Sequence, residues 1–188
     1  MASVTKYGST AKWLHWVIGV LVILMLIAGR TLESLPLDER TEVIMAHSGL
    51  GTLVLLLMIV RLTWRRSHPP PGPTAQMSAT QVRLSLWMHR GLYVLFILQP
   101  VLGIAQATFI TDYEVVAFGL IDYSGLAASD AGLARTFHIL HGLNATILSV
   151  LVIGHILAGL YHHFVQKDEV LRRMLPGGKV EPSENAGN

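Results

Sequence analysis

Four apolar runs, each long enough to cross a bilayer, divide the 188-residue chain: residues 13–29, 43–62, 84–107 and 137–164. A hydrocarbon core about 30 Å thick needs roughly 20 apolar residues in a helix, and irregular backbone is not tolerated there against lipid. The chain therefore reads as all-α, an integral membrane four-helix bundle. Its balance agrees, since 52% hydrophobic residues, 14% charged residues and a mean hydropathy of +0.50 are too apolar for an ordinary soluble domain. A basic start before the first run also fits a cleaved leader. Trp13, His15 and Trp16 interrupt that start and no small-x-small cleavage site follows, so the first run reads as a retained helix.

The connections are polar. Residues 30–42 carry Glu33, Asp38, Glu39 and Glu42 against Arg30 and Arg40. After the second run, Pro69, Pro70, Pro71 and Pro73 cannot continue a helix and form an extended linker, with His68 at its edge. Pro100 lies inside the third run, where a kink is tolerable. Within the connection 108–136, residues 115–121 are apolar but too short to span, and are expected at the membrane interface. Residues 1–176 form one membrane domain, with 177–188 a disordered C-terminal tail.

Lysine and arginine set the orientation. Lys6, Lys12, Arg61, Arg65, Arg66, Arg83, Arg90, Lys167, Arg172, Arg173 and Lys179 fall on one side, and Arg30, Arg40 and Arg135 on the other. Both termini are expected in the cytoplasm. The pI near 9.1 invites a nucleic-acid reading, but the net charge is only +2 and the basic residues flank apolar runs.

Ionisable residues inside a membrane helix mark function by default. In the fourth run, His141 and His155 are fourteen residues apart, about 21 Å along a helix axis, and fourteen steps of about 100° return them to one face. One helix thus offers an imidazole near each side of the bilayer. His47 sits at the depth of His141 and can meet it across one cofactor. His155 pairs with His15, or alternatively with His89. The absence of cysteine excludes thiolate-held clusters and covalent haem attachment. Two separate imidazole pairs suit haem iron bound on both faces, whereas zinc or copper needs three or four ligands converging. Gly19, Gly49, Gly51, Gly142 and Gly154 leave room for a flat ring, or simply let helices pack closely.

The chain resembles the bacterial cytochromes b561, and within them the small dihaem, superoxide oxidase-like branch. The resemblance runs over residues 6–176. It rests on Leu14-His15-Trp16, on His47 with Val60-Arg61-Leu62, and on His89 before Tyr93. Further support comes from Ala117-Phe118-Gly119-Leu120, the His141–His155 spacing, and His162-His163-Phe164 followed by Lys167-Asp168, Leu171, Arg173 and Met174. It implies two haem b groups on His15, His47, His141 and His155, and electron exchange with ubiquinone in a bacterial inner membrane. It also implies a quinone site near His89 and His162. Quinone reduction takes two protons, which histidines titrating near neutral pH can supply, and Arg83 or Arg90 can hold a head-group oxygen. Arg61 and Arg90 serve equally as topology signals or as haem propionate partners.

Three functions stand at this point. One is an oxidoreductase that oxidises superoxide and reduces ubiquinone. The second is a quinol-linked electron carrier to a periplasmic redox partner. The third is a haem-free helical scaffold or transporter. The outer connections hold eight acidic residues against three basic ones, which is not the balance that steers an anion.

Overall fold

A computed structural model describes residues 6–178, apart from the side chains of Glu33, Leu37 and Asp38. Four long helices run up and down: α1 Ser9–Thr31, α2 Leu37–Ser67, α3 Ala79–Phe109 and α4 Ala131–Tyr161. All four are long and apolar enough to cross a membrane, and their outward faces are apolar, with Trp13, Val20, Leu56, Val94, Val150 and Ile153 among the exposed side chains. The chain is an integral membrane protein. Helix α1 packs on α2, α2 on α3 and α3 on α4. The start of α1 and the last described residues meet at one end of the bundle, termed the terminal end.

Local chemistry sets the boundaries. Ser78 and Gln81 form a reciprocal capping box at the start of α3, and Asp130 accepts the Leu133 amide at 2.9 Å to cap α4. Helix α2 ends at Ser67, before the proline linker. It starts at Leu37, six residues before its apolar run, so Glu39 and Glu42 belong to the first turns of a helix, where its dipole favours negative charge.

Residues 115–121, expected at the membrane interface, lie in a hairpin. Strands β1 Val116–Ala117 and β2 Ile121–Asp122 pair antiparallel across Phe118 and Gly119, both at positive φ (50° and 69°). Val115, Ala117 and Tyr123 are buried against α2 and α3, while Leu120 and Ile121 face outward and the half-exposed Phe118 ring lies over Gly49 of α2. The Phe118 amide donates to the Met45 carbonyl at 3.3 Å, and Thr52 and Tyr123 share a 2.8 Å hydroxyl pair. The hairpin therefore closes the opposite end of the bundle, termed the hairpin end.

At the terminal end the chain turns back after a π-helical turn, His162–Gln166. The segment that follows docks on the bundle. Lys12 Nζ donates to the Leu175 carbonyl and Trp16 Nε1 to the Met174 carbonyl, each at 3.0 Å. Arg173 reaches the Gly72 carbonyl. Of the tail expected from 177 onward, residues 179–188 lie outside the described residues. Between the two ends, Ile18, Val22, Val54 and Met58 form a buried apolar layer, joined by Phe96 and Val152.

The hairpin seat is testable. A Cβ on Gly49 would stand 2.5 Å from the Phe118 ring. Gly49→Ala is expected to destabilise the bundle by about 1–3 kcal/mol, read as thermal unfolding in detergent. Phe118→Gly in the same background should recover most of the loss, since it removes both the clash and the positive-φ strain.

Candidate functional site

The helices bring the histidines together at two levels. Near the hairpin end, the rings of His47 on α2 and His141 on α4 have centres 6.4 Å apart and cross at 69°. Near the terminal end, His155 on α4 faces two rings: His15 on α1 at 6.0 Å and His89 on α3 at 5.3 Å. Two imidazoles bound to opposite sides of one metal ion through bonds of about 2.0 Å hold their ring centres roughly 6 Å apart. The His47–His141 and His15–His155 separations meet that requirement, and His89 stands closer than it asks. Among the described residues, no group of three or more His, Asp or Glu side chains is placed to hold one ion.

The hairpin-end pair borders a cavity of about 560 Å³, within the usual range for small-molecule sites. Its walls are mostly apolar. Glycines make the room: a Cβ on Gly29 would lie 3.4 Å from His47 Cε1, and one on Gly103 would lie 3.0 Å from His141 Cε1. His47 Nδ1 is buried with no hydrogen-bond partner among the described residues. His141 is held from both sides by Gln99, whose carbonyl accepts from Nδ1 at 3.0 Å and whose amide nitrogen lies 3.0 Å from Nε2. Of the described residues lining the cavity, Arg30 and Arg40 carry charge and no carboxylate does. Paired imidazoles, apolar walls relieved by glycine, and cations at the rim fit a flat apolar ring bearing carboxylates.

The terminal-end cluster is held differently. The Nδ1 of His89 bonds the Ser85 carbonyl at 2.7 Å, leaving Nε2 as its other nitrogen. Arg61 crosses between helices, donating to the Tyr93 hydroxyl at 3.1 Å and the Ala11 carbonyl at 2.9 Å. Trp16 stands beside His15, with ring centres 5.6 Å apart. The segment after α4 folds back onto the start of α1, where Lys12 Nζ meets the Leu175 carbonyl.

The other candidates named from the residues alone fall outside both clusters' ring contacts. His162 is buried and pairs through Nδ1 with the buried Asp168 carboxylate at 2.5 Å. Arg83 and Arg90 lie on the first turns of α3, Arg90 exposed over the Trp87 ring. His138 bonds Gln106, and His68 stacks on Trp64.

Reasoning from the residues missed Gln99, Asn144 and Gly103. Their signals were present but faint. Gln99 precedes the helix-interior Pro100, and Asn144 is a lone amide three residues after His141 in an otherwise apolar stretch. Arg30 and Arg40 line the cavity although their connection is acidic overall.

A sequence model of the prokaryotic cytochrome b561 family matches residues 6–177. A protein of Yersinia pestis named probable superoxide oxidase CybB is 33% identical over 172 residues, covering 91% of this chain and 96% of its own. Two proteins of Escherichia coli K12, cytochrome b561 homologs 1 and 2, are 27% and 29% identical. The match to homolog 1 covers 93% of this chain and 99% of that protein, and the match to homolog 2 covers 90% and 91%.

The cavity makes its own prediction. Gly103→Leu should fill the space against His141, and purified protein should lose haem by pyridine haemochromogen assay while keeping its helix content by circular dichroism.

Proposed function

The chain belongs to the prokaryotic cytochrome b561 family, whose members are haem-binding membrane electron carriers, and we propose that it oxidises superoxide at its hairpin end and reduces ubiquinone at its terminal end. The observation that carries this reading is one helix, α4, presenting His141 and His155 to partner rings at 6.4 Å and 6.0 Å at two depths. His47 and His141 would hold one haem b, and His15 and His155 the second, with His89 beside it. Held by these imidazole pairs, such groups would supply one-electron transfer.

The chain's own residues arrange the rest. Arg30 and Arg40 stand at the rim of the hairpin-end cavity, as anchors for propionates and as a local attraction for an anion. Three of the described acidic side chains of this end are engaged locally. Asp112 accepts the Thr111 hydroxyl, and Asp130 caps α4. The Ser124 hydroxyl and the Gly125 amide hold the Asp122 carboxyl below its ordinary range. Arg30 and Arg40 on the cavity lining support an anionic donor, although the summed loop charge does not. At the terminal end, Arg61 is fixed beside the inner cluster, and His89 and Arg83 lie along the start of α3, where a quinone head group would approach. The His162–Asp168 pair holds a proton between Nδ1 and Oδ2 under the folded-back segment. Two superoxide anions lose one electron each and leave as dioxygen, while one quinone gains two electrons and two protons.

The distribution of Lys and Arg supports a bacterial inner-membrane protein with the terminal end in the cytoplasm. A second reading, a quinol-linked carrier to a basic periplasmic partner, is favoured by exposed Glu42 and Glu114 at the hairpin end.

Two measurements test the reading. Two haems per chain are expected by pyridine haemochromogen assay, with His141→Ala and His155→Ala each losing one; undiminished haem in either variant sinks the ligand set. In stopped flow, superoxide should reduce the oxidised protein faster than ubiquinol does, and more slowly as ionic strength rises. Fast reduction by ubiquinol with none by superoxide favours the carrier.

A further inference from the structure

The hairpin is built unlike a turn that faces water. Tight hairpins need positive φ near their tip, and Asn, Asp or Gly normally supply it. Here Phe118 takes that conformation at φ 50°, ahead of Gly119. An aromatic residue held there is strained, and persists only where its surroundings compensate. No side chain from Val115 to Ile121 is polar. The tip lies on the outer face of α2. Met45, Gly49, Leu53, Leu56 and Val60 follow one another at helical spacing on that face. Gly49 is buried because the Phe118 ring covers it, and the others are exposed. Gly49 stands six residues, about 9 Å along the axis, inside the apolar run that starts at Val43. Irregular backbone is kept away from lipid by its unpaired polar groups. The tip amides are all paired: Phe118 donates to the Met45 carbonyl at 3.3 Å, Gly119 to Val116 at 3.3 Å and Leu120 to Ala117 at 2.9 Å. Leu120 is 84% exposed and Ile121 47%. The first charge after the tip, Asp122, pairs with Val116, roughly 7 Å back along the strands, where Ser124 and Gly125 hold its carboxyl.

We propose that the hairpin tip is a lipid anchor: Leu120 and Ile121, with the outer edge of the Phe118 ring, dip into the boundary between head groups and acyl chains of the leaflet at the hairpin end. The occupant is the bilayer because the tip continues the row Leu53, Leu56 and Val60, which already faces lipid along α2. Apolar surface reaching about 5–10 Å past the head groups gains by leaving water, and the paired tip amides remove the usual cost. Asp122 stays behind at the wet base of the hairpin. Val115 and Tyr123 of the same segment line the hairpin-end cavity, so lipid bears on one face of this short element and the cavity on the other. A docked protein or a second copy of the chain would cover the same side chains and keep lipid out.

The chain has no cysteine, so one introduced thiol can be labelled alone. Full-length protein carrying Leu120→Cys, tagged with a polarity-sensitive nitrobenzoxadiazole dye, is reconstituted in phosphatidylcholine–phosphatidylglycerol vesicles with iodide available on both sides. Its emission should be quenched by lipid bearing a nitroxide on the upper acyl chain, and quenching by iodide should be lost. Glu114→Cys, exposed just before β1, should show the reverse. Iodide quenching of Leu120→Cys equal to that of Glu114→Cys, with none by nitroxide lipid, overturns the proposal. A dye that neither quencher reaches also overturns it, and is the result expected of a docked protein or a second copy. Where Leu120→Cys fails to accumulate, Ile121→Cys is read by the same criteria.

Discussion

The bilayer offers imidazole nitrogens no water, so every histidine placed between these helices must find its partners inside the protein. Helix α4 accepts that constraint twice, at His141 and His155, and the other helices are arranged to answer it. Helix α2 brings His47 to the upper level, α1 and α3 bring His15 and His89 to the lower one, and a layer of Ile18, Val22, Val54 and Met58 separates the two. The bundle is therefore a holder for two polar levels with a dry layer between. Helix packing, glycine placement and the closure of both ends all serve that division.

The two levels are built differently. At the hairpin end there is a cavity, made by missing side chains at Gly29 and Gly103, with Arg30 and Arg40 on its lining. The hairpin covers it with Ala117 and Tyr123 turned inward and Phe118 seated on Gly49. At the terminal end three rings meet closely, Arg61 is tied to two helices, and the segment after α4 folds back onto Lys12 and Trp16. In the proposed function, an anion is met at one end and a larger, proton-requiring molecule at the other. This asymmetry in supporting side chains would then decide which reactant each end admits.

Much of this was legible in the residues. Four spans and their antiparallel order follow from apolar length, and the fourteen-residue spacing puts His141 and His155 on one face at two depths, because both depend on helix geometry that lipid enforces; the choice between His15 and His89 beside His155 stayed open, and both rings stand near it. That residues 115–121 lie in a hairpin was not legible, because a seven-residue apolar stretch is too short for its periodicity to give its conformation. The decisive features, positive φ at Phe118 and Gly119 and an inward Ala117, are set by contact with α2. His162 looked like a surface proton donor and proved to be buried, since its partner Asp168 comes back only after the π-helical turn.

Sequence alone determined the architecture and the two histidine levels, since membrane thickness and the helical repeat leave few choices for where long apolar runs and their histidines can go. Only the tertiary structure decided which side chains support those histidines. Gln99 on His141, Gly103 behind it, Arg30 and Arg40 at the cavity and Asp168 under His162 are contacts between residues that helical spacing alone leaves unassigned. Such contacts depend on the rotation and axial offset of one helix against the next, which are set by the packing of whole surfaces and leave no periodic mark in the chain.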